Sequence, residues 1–209
     1  MRRALLLCAG LLVLLSASGW LLWQRRRPVP MPPGLSFLLE GRYVGRFAGP
    51  GLLLERAGVS EGMRVLDAGC GTGRLTVAAA RRVGPAGEVV ALDVGEGMLG
   101  RLRARLSREG LGNVRVVRAS LGEGEFVGSG FDRVLLAMVL GEVRNRERAM
   151  QELYRALKPG GILSVTELFP DPDYRRPATV LRLARSAGFR PEARYSRFPA
   201  FTINLRRPA

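Results

Sequence analysis

Between residues 63 and 190, short apolar runs of strand type alternate with stretches of helical composition, and few folds accept that pattern. "MRVLDAG" and "EVVALDV" are separated by "RLTVAAARRV". "GEGMLGRLRARLSREG" then places Met98, Leu99, Leu102 and Leu106 near one helical face, ahead of the alternating valines of "NVRVVRAS". "FDRVLLAMVL" is more continuously apolar, as expected of a strand covered on both faces. "NRERAMQELYRAL" reads as a helix that "PGG" stops before a fifth strand, "ILSVTEL". A last helix, "TVLRLARSAG", precedes "PEARYSRF" and "FTINLRR", which are expected to pair antiparallel at the sheet edge. The expected fold class is α/β: a doubly wound, mainly parallel, seven-stranded sheet with an antiparallel edge strand. Ligands of such sheets bind at the carboxyl ends of the strands, where the strand order reverses.

Ahead of this alternation, "MRRALLLCAGLLVLLSASGWLLWQRRRP" holds an uncharged, mostly apolar run from Ala4 to Trp23 between two arginine clusters. About 20 residues at ~1.5 Å rise span the hydrocarbon of a bilayer, and Trp20 and Trp23 suit the interface. One N-terminal transmembrane helix is therefore expected. Small residues near Ser18 and Gly19 leave a cleaved signal peptide open, whereas the apolar run continuing to Trp23 and ending at "RRR" reads as an anchor. Arginines are more numerous after the span than before it, which places the remaining chain on the cytoplasmic side as a single-pass protein. Residues 1–27 are read as anchor or signal peptide, 28–49 as a stiff "PVPMPPG" linker and a cover helix, and 50–209 as the functional domain. The cover segment is expected as one or two short helices broken at Gly49-Pro50-Gly51.

The formal charge is +15, yet 32 of the 33 basic residues are arginine, Lys158 is the one lysine, and histidine is absent. So lopsided a usage is consistent with coding bias, which lowers the weight of a nucleic-acid reading. Residues 28–209 still hold 28 basic and 18 acidic side chains, a charge that suits an anionic leaflet. Without histidine there can be no Ser-His-Asp or Cys-His site and no His-ligated metal. Cys8 and Cys70 form no C-x-x-C pair, so neither structural zinc nor a disulfide framework is expected.

The first strand runs into "DAGCGTG", with Asp67, Gly69, Gly71 and Gly73. Glycines there permit positive φ and close approach of a ligand to the backbone, which suggests a nucleotide-type cofactor. The dinucleotide fingerprint G-x-G-x-x-G fails, because Arg74 or Thr76 stands where its last glycine is required. The phosphate-loop pattern fails because no Gly-Lys pair occurs.

"VLDAGCGTG" resembles the cofactor motif of class I S-adenosylmethionine-dependent methyltransferases, particularly the group that includes ubiquinone/menaquinone C-methyltransferases. The resemblance covers about residues 50–209, with "FDRVLLAMVLGEV" and "ALKPGGILSVTE" similar to the segments of the family's fourth and fifth strands. It implies a Rossmann-like sheet and S-adenosyl-L-methionine as cofactor. It further implies Asp67, Gly69, Cys70, Gly71 and Gly73 around the methionine part and Asp93 on the ribose hydroxyls. Val94, Met98, Ala119, Leu121 and Met138 are the implied neighbours of the rest of the cofactor. Where the family usually has an acid for the adenine amino group, this chain has Ser120. Serine has no charge and a shorter reach, so weaker cofactor binding is one expectation, and help from the backbone of Ala119 and Leu121 another.

Methyl transfer needs collinear nucleophile, methyl and sulfur in a dry pocket, and a base only if the acceptor must lose a proton. Candidate pocket residues are Tyr43 from the cover segment and Glu142 and Arg144 after the fourth strand. Glu142 could act as base or acceptor-binding group, or pair with an arginine. An anchored domain suggests a small or lipid-like acceptor, such as a quinone precursor or a phospholipid amine. An RNA acceptor is the alternative suggested by the basic surface, and a non-catalytic cofactor-binding scaffold is suggested by Ser120.

Overall fold

A computed structural model describes residues 42–209. The expected anchor, residues 1–27, and the linker up to residue 41 lie outside the described residues. Among the described residues no helix is long and apolar enough to cross a membrane.

Two short helices, α1 (Arg42–Ala48) and α2 (Pro50–Arg56), meet at Gly49, the break expected from Gly49-Pro50-Gly51. Pro50 opens α2, where its missing N–H costs nothing. Then come β1 (Arg64–Ala68), α3 (Arg74–Val83), β2 (Glu88–Asp93), α4 (Glu96–Glu109) and β3 (Val114–Arg118). The second half is β4 (Phe131–Ala137), α5 (Arg146–Ala156), β5 (Leu157–Leu168), α6 (Pro177–Ser186), β6 (Arg190–Arg197) and β7 (Ala200–Arg206). Seven strands form one sheet in the order β3-β2-β1-β4-β5-β7-β6. The first five are mutually parallel, and β7 runs antiparallel to both β5 and β6, one place in from the edge.

Alternate residues of each strand serve opposite faces. Val65, Val89 and Leu135 pack against α1, α2 and α3, and Ala91 against Leu99 and Leu102 of α4. Leu66, Val90, Val134 and Leu136 face the other way, onto Met150 and Leu153 of α5 and Val180 and Leu183 of α6. The cover helices are also tied by polar contacts. Arg56 donates to the Thr202 hydroxyl at 3.0 Å, and Asn204 donates to the Arg56 carbonyl at 2.6 Å. The Arg74 guanidinium donates to the carbonyl of Ala48, so the residue that broke the dinucleotide fingerprint clips α1 to the start of α3.

Two boundaries differ from the sequence expectation. β5 starts at Leu157, five residues before "ILSVTEL", because "KPGG" stays extended. There Gly160 and Arg207 exchange with the strand through Gly160 N–H to Arg207 O and Arg207 N–H to Gly161 O, both 2.9 Å. The register between β4 and β5 shifts at this point, so the glycines make a bulge rather than a stop. β4 ends at Ala137, before "MVL", because Met138 has φ +58 and cannot continue a ladder. A non-glycine residue held there costs about 1–3 kcal/mol and depends on its surroundings for support.

The order reverses between β1 and β4: β2 and β3 lie on one side of the pair, β5 on the other. The segments following β1 and β4 therefore flank a crevice at the carboxyl end of the sheet. The second half of the core rests on α5, whose Leu153 is fully buried. Leu153→Ala is expected to lower unfolding free energy by about 2–5 kcal/mol, read from the shift of a urea transition followed by circular dichroism.

Candidate active site

β1 delivers the chain into a loop whose three glycines all have positive φ: Gly69 (+78), Gly71 (+53) and Gly73 (+86). A Cβ on Gly69 would overlap the side chain of Val139, and one on Gly73 the side chain of Leu102. A Cβ on Gly71 would meet nothing within 4 Å, because that backbone borders open space. The loop is fastened at both ends to β2. Gly69 and Cys70 donate to the Leu92 carbonyl at 2.7 and 2.9 Å. Asp93 then accepts from Gly71 N–H on one carboxylate oxygen and from Gly95 N–H on the other, each at 2.8 Å. A carboxylate has about four lone-pair sites, so both oxygens keep capacity toward a ligand.

This loop, the turn after β2 and the loop after β4 border a cavity of about 500 Å³. Ten of the expected site residues line it: Gly69, Gly71, Asp93, Val94, Met98, Ala119, Ser120, Leu121, Met138 and Glu142. Arg144 lines it as well. Four expected residues do not. Gly73 lies behind the loop against Leu102. Cys70 is buried among Val77, Leu99 and Leu102, and burial beside Asp67 and Asp93 pushes its thiol pKa far up, so it is no nucleophile. Asp67 is only 3% exposed and accepts a 2.6 Å hydrogen bond from the Thr76 hydroxyl. Burial raises its pKa to about 6, against the lowering effects of Thr76 and Arg74. Its contact is thus with the first turn of α3, beneath the loop. Tyr43 lies on the surface, its hydroxyl donating to the Phe169 carbonyl at 2.7 Å.

Four acidic residues were not singled out in the sequence. Glu123, Glu125 and Asp171 line the cavity, and Glu167 is buried beside it at the end of β5. Glu125 accepts from the backbone N–H of Ser120 at 2.8 Å, which brings a carboxylate to the position where Ser120 lacks one. The fold back is built: buried Glu152 on α5 accepts from Gly122 N–H at 2.7 Å and Gly124 N–H at 2.8 Å. The "GEGE" run was the available signal, but only the bend pinned by Glu152 gives it a direction. Glu167 accepts from Arg175 N–H at 3.1 Å on one oxygen, while the other has no partner, and burial raises its pKa to about 8. Burial also raises the pKa of Asp171. The loop after β4 is held by two guanidiniums, with Arg146 and Arg175 both donating to the Gly141 carbonyl, at 2.8 and 3.0 Å. Among the described residues there is no cluster of acids and cysteines able to hold a metal ion.

The arrangement fits a ligand with an adenosyl group and a small cationic end. It offers bare backbone at Gly69 and Gly71, a carboxylate at the end of β2, apolar walls from Met98, Ala119 and Leu121, and acids at either side. Comparisons with known proteins agree with that chemistry. Residues 65–161 match the family model described as a methyltransferase domain. The chain is 41% identical over 115 residues to a ubiquinone/menaquinone biosynthesis C-methyltransferase of Idiomarina loihiensis, covering 54% of this chain and 46% of that protein. It is 44% identical over 115 residues to the protein of that name from Ectopseudomonas mendocina, covering 54% and 45%. The chain thus spans about half the length of the curated relatives it matches. Among solved structures, an S-adenosylmethionine-dependent methyltransferase from Aquifex aeolicus superposes with a TM-score of 0.77 at 24% identity, over 84% of this chain and 98% of that one.

Asp67 ties the pH dependence of stability to the loop. Its pKa rises from 3.8 when unfolded to about 6 when folded, so folding favours the protonated form. The associated stability is present below pH 3.8 and is lost as pH rises through about 6. Relative to Asp67→Asn, the unmodified chain should lose up to about 3 kcal/mol between pH 4 and 7, measured by urea unfolding of both proteins at each pH.

Proposed function

We propose that this chain, which carries a class I S-adenosylmethionine-dependent methyltransferase domain over residues 65–161, transfers a methyl group to a lipid-like acceptor at a membrane. A quinone precursor is favoured over a phospholipid amine, because the curated relatives are named for quinone biosynthesis. The observation that carries the reading is the cavity at the strand-order reversal, with a glycine loop braced by Asp93. In this reading residues 1–27 tether the domain, 28–49 form linker and cover, and 50–209 form the methyltransferase unit on the cytoplasmic side.

S-adenosylmethionine, when bound, supplies an electrophilic methyl group on a positively charged sulfur. The residues of this chain do the rest. Gly69 and Gly71 let the methionine portion lie against backbone, where a side chain would obstruct it. Asp93 holds the loop in shape, and its remaining lone pairs would accept hydrogen bonds from the ribose hydroxyls. Met98, Ala119 and Leu121 supply apolar contact for the base, and Met138, Val139 and Val143 exclude water at the reacting end. Asp67 supports the loop from beneath. Glu142 lines the cavity and would take up the proton of an acceptor that must lose one on methylation. Catalysis in such a site is mostly alignment of the three reacting atoms.

A non-catalytic scaffold is the second reading, and Ser120 is the observation that favours it. Glu125 answers that observation: its carboxylate accepts from the Ser120 backbone N–H, and its remaining lone pairs would receive a hydrogen bond from the adenine amino group. Calorimetry with S-adenosylmethionine should show Asp93→Ala binding at least tenfold more weakly. In membranes given labelled cofactor, the unmodified chain should place label in extractable lipid and Asp93→Ala should not. Binding without transfer to any membrane extract would leave the scaffold reading standing; label confined to RNA would favour an RNA acceptor.

Glu125 yields a separate prediction. Glu125→Gln should weaken S-adenosylmethionine binding about tenfold, the scale of one hydrogen bond to a charged group. Adding Ser120→Asp to that variant should recover most of the loss. No recovery in the double variant would remove Glu125 from the cofactor site.

A further inference from the structure

The chain enters the described fold at α1, and there its rings point outward. Tyr43 is 46% exposed and packs edge-on to Phe47, with centroids 5.3 Å apart. Through its hydroxyl it is joined to Phe169, itself 50% exposed at the end of β5. The Phe169 ring lies 6.1 Å from that of Phe198, which stands 83% exposed in the turn between β6 and β7. Three elements distant in sequence thus bring aromatic side chains to one rim. Burying rings inside a domain is worth about 1.5–3 kcal/mol each, so rings left together in water mark a surface that meets something. The rim lies at the same end of the sheet as the cavity: Phe169 directly follows β5, and Asp171, whose N–H donates to the Leu168 carbonyl, lines the cavity.

We infer that this aromatic rim docks on the headgroup region of an anionic lipid leaflet and turns the acceptor side of the cavity toward the bilayer; the inference rests on the membrane-tethered reading above. Two observations select a bilayer as the occupant. The first is where the chain goes. From Gln24 to Gly41 only 18 residues separate the rim from the apolar run Ala4–Trp23. Fully extended, such a spacer reaches at most about 60 Å. The spacer joins the described fold at Arg42, next to Tyr43, and so at the rim. The second is charge. Arg46 stacks over Phe47 at 5.9 Å, Arg56 stacks over Tyr195 at 5.3 Å, and exposed Arg194 and Arg197 lead into Phe198. Aromatic rings interleaved with arginines suit the interface of a negatively charged leaflet, where each basic residue adds about 1 kcal/mol.

The test uses the full chain carrying Cys8→Ser and Phe198→Cys, labelled with an environment-sensitive fluorophore; Cys70 is buried and stays unlabelled. It is incorporated into nanodiscs of phosphatidylcholine alone or mixed with phosphatidylglycerol. The expected result is blue-shifted emission and at least twofold lower acrylamide quenching in the anionic discs, both reversed by high salt or by Arg46→Gln with Arg197→Gln. A probe quenched equally in both discs overturns the inference, as it shows the rim in water. A probe shielded equally in both also overturns it, as it shows the rim covered by residues 35–41 or by a second copy. Failure of the chain to co-migrate with discs at all would instead overturn the tether on which the inference rests. As a second readout, Phe169→Ser with Phe198→Ser should raise KM severalfold for a bilayer-resident acceptor while leaving kcat on a short-chain, water-soluble analogue unchanged. Equal loss on both acceptors would again overturn the docking role.

Discussion

The carboxylate of Asp93 joins two turns that leave the ends of different strands. It takes the N–H of Gly71 from the loop after β1 and the N–H of Gly95 from the turn after β2. Both turns are made of residues that cannot hold themselves in shape. Glycine has the most backbone freedom to lose, and no side chain with which to offset the loss. One charged acceptor with two short bonds fixes them together, and charge-assisted hydrogen bonds are the strong kind. The site is thus preorganised by the residue expected to touch the ribose. Removing that carboxylate would free the loop and strip the ligand contact in one step.

Around this brace the packing is close on every side but one. Gly69 is crowded by Val139 and Gly73 by Leu102, so the loop is wedged between the β4 exit and α4. Gly71 alone faces open space. The strained Met138 belongs to the same arrangement. Its left-handed backbone turns the chain out of β4 and sends Val139, Glu142 and Val143 along the cavity wall. The Gly141 carbonyl, gripped by Arg146 and Arg175, keeps that excursion from relaxing. Rigid scaffolding with bare backbone at one point is a sound way to seat a small cation-bearing ligand.

The architecture was legible because its signals are local and periodic. Strand and helix alternation from 63 to 190, the break at Gly49 and the two pairing strands after residue 190 all follow from residue spacing. The glycine loop was legible for a related reason, since backbone requirements select residue types directly. What escaped depends on contacts across the fold. The "KPGG" segment carries strong stop signals, yet Arg207, distant in sequence, holds it in the sheet. Met138 has no residue-type signal for a left-handed conformation. Glu125 reaches Ser120 only because Glu152 on α5 bends the intervening segment, and Glu167 is acidic in a stretch that reads as core. Tyr43 was expected in the pocket from its place in the cover segment, but α1 lies across β5 and presents it outward.

The position of β7 has a consequence for how the molecule comes into being. β5 and β6 are both parallel in direction, and each pairs with β7 rather than with the other. Until residues 200–206 have been synthesised, β6 has no ladder to join and the outer edge of β5 stays open. Such late, long-range pairing is slow and leaves strands exposed to one another on neighbouring nascent chains. In the finished sheet the outer strands are β3 and β6, and they carry arginines at 115 and 118 and at 190, 194 and 197. Like charges along those strands discourage two finished sheets from pairing edge to edge. The open edge of β5 is therefore a hazard of synthesis alone, closed by β7, whereas β3 and β6 present their basic side chains along the edges of the completed sheet.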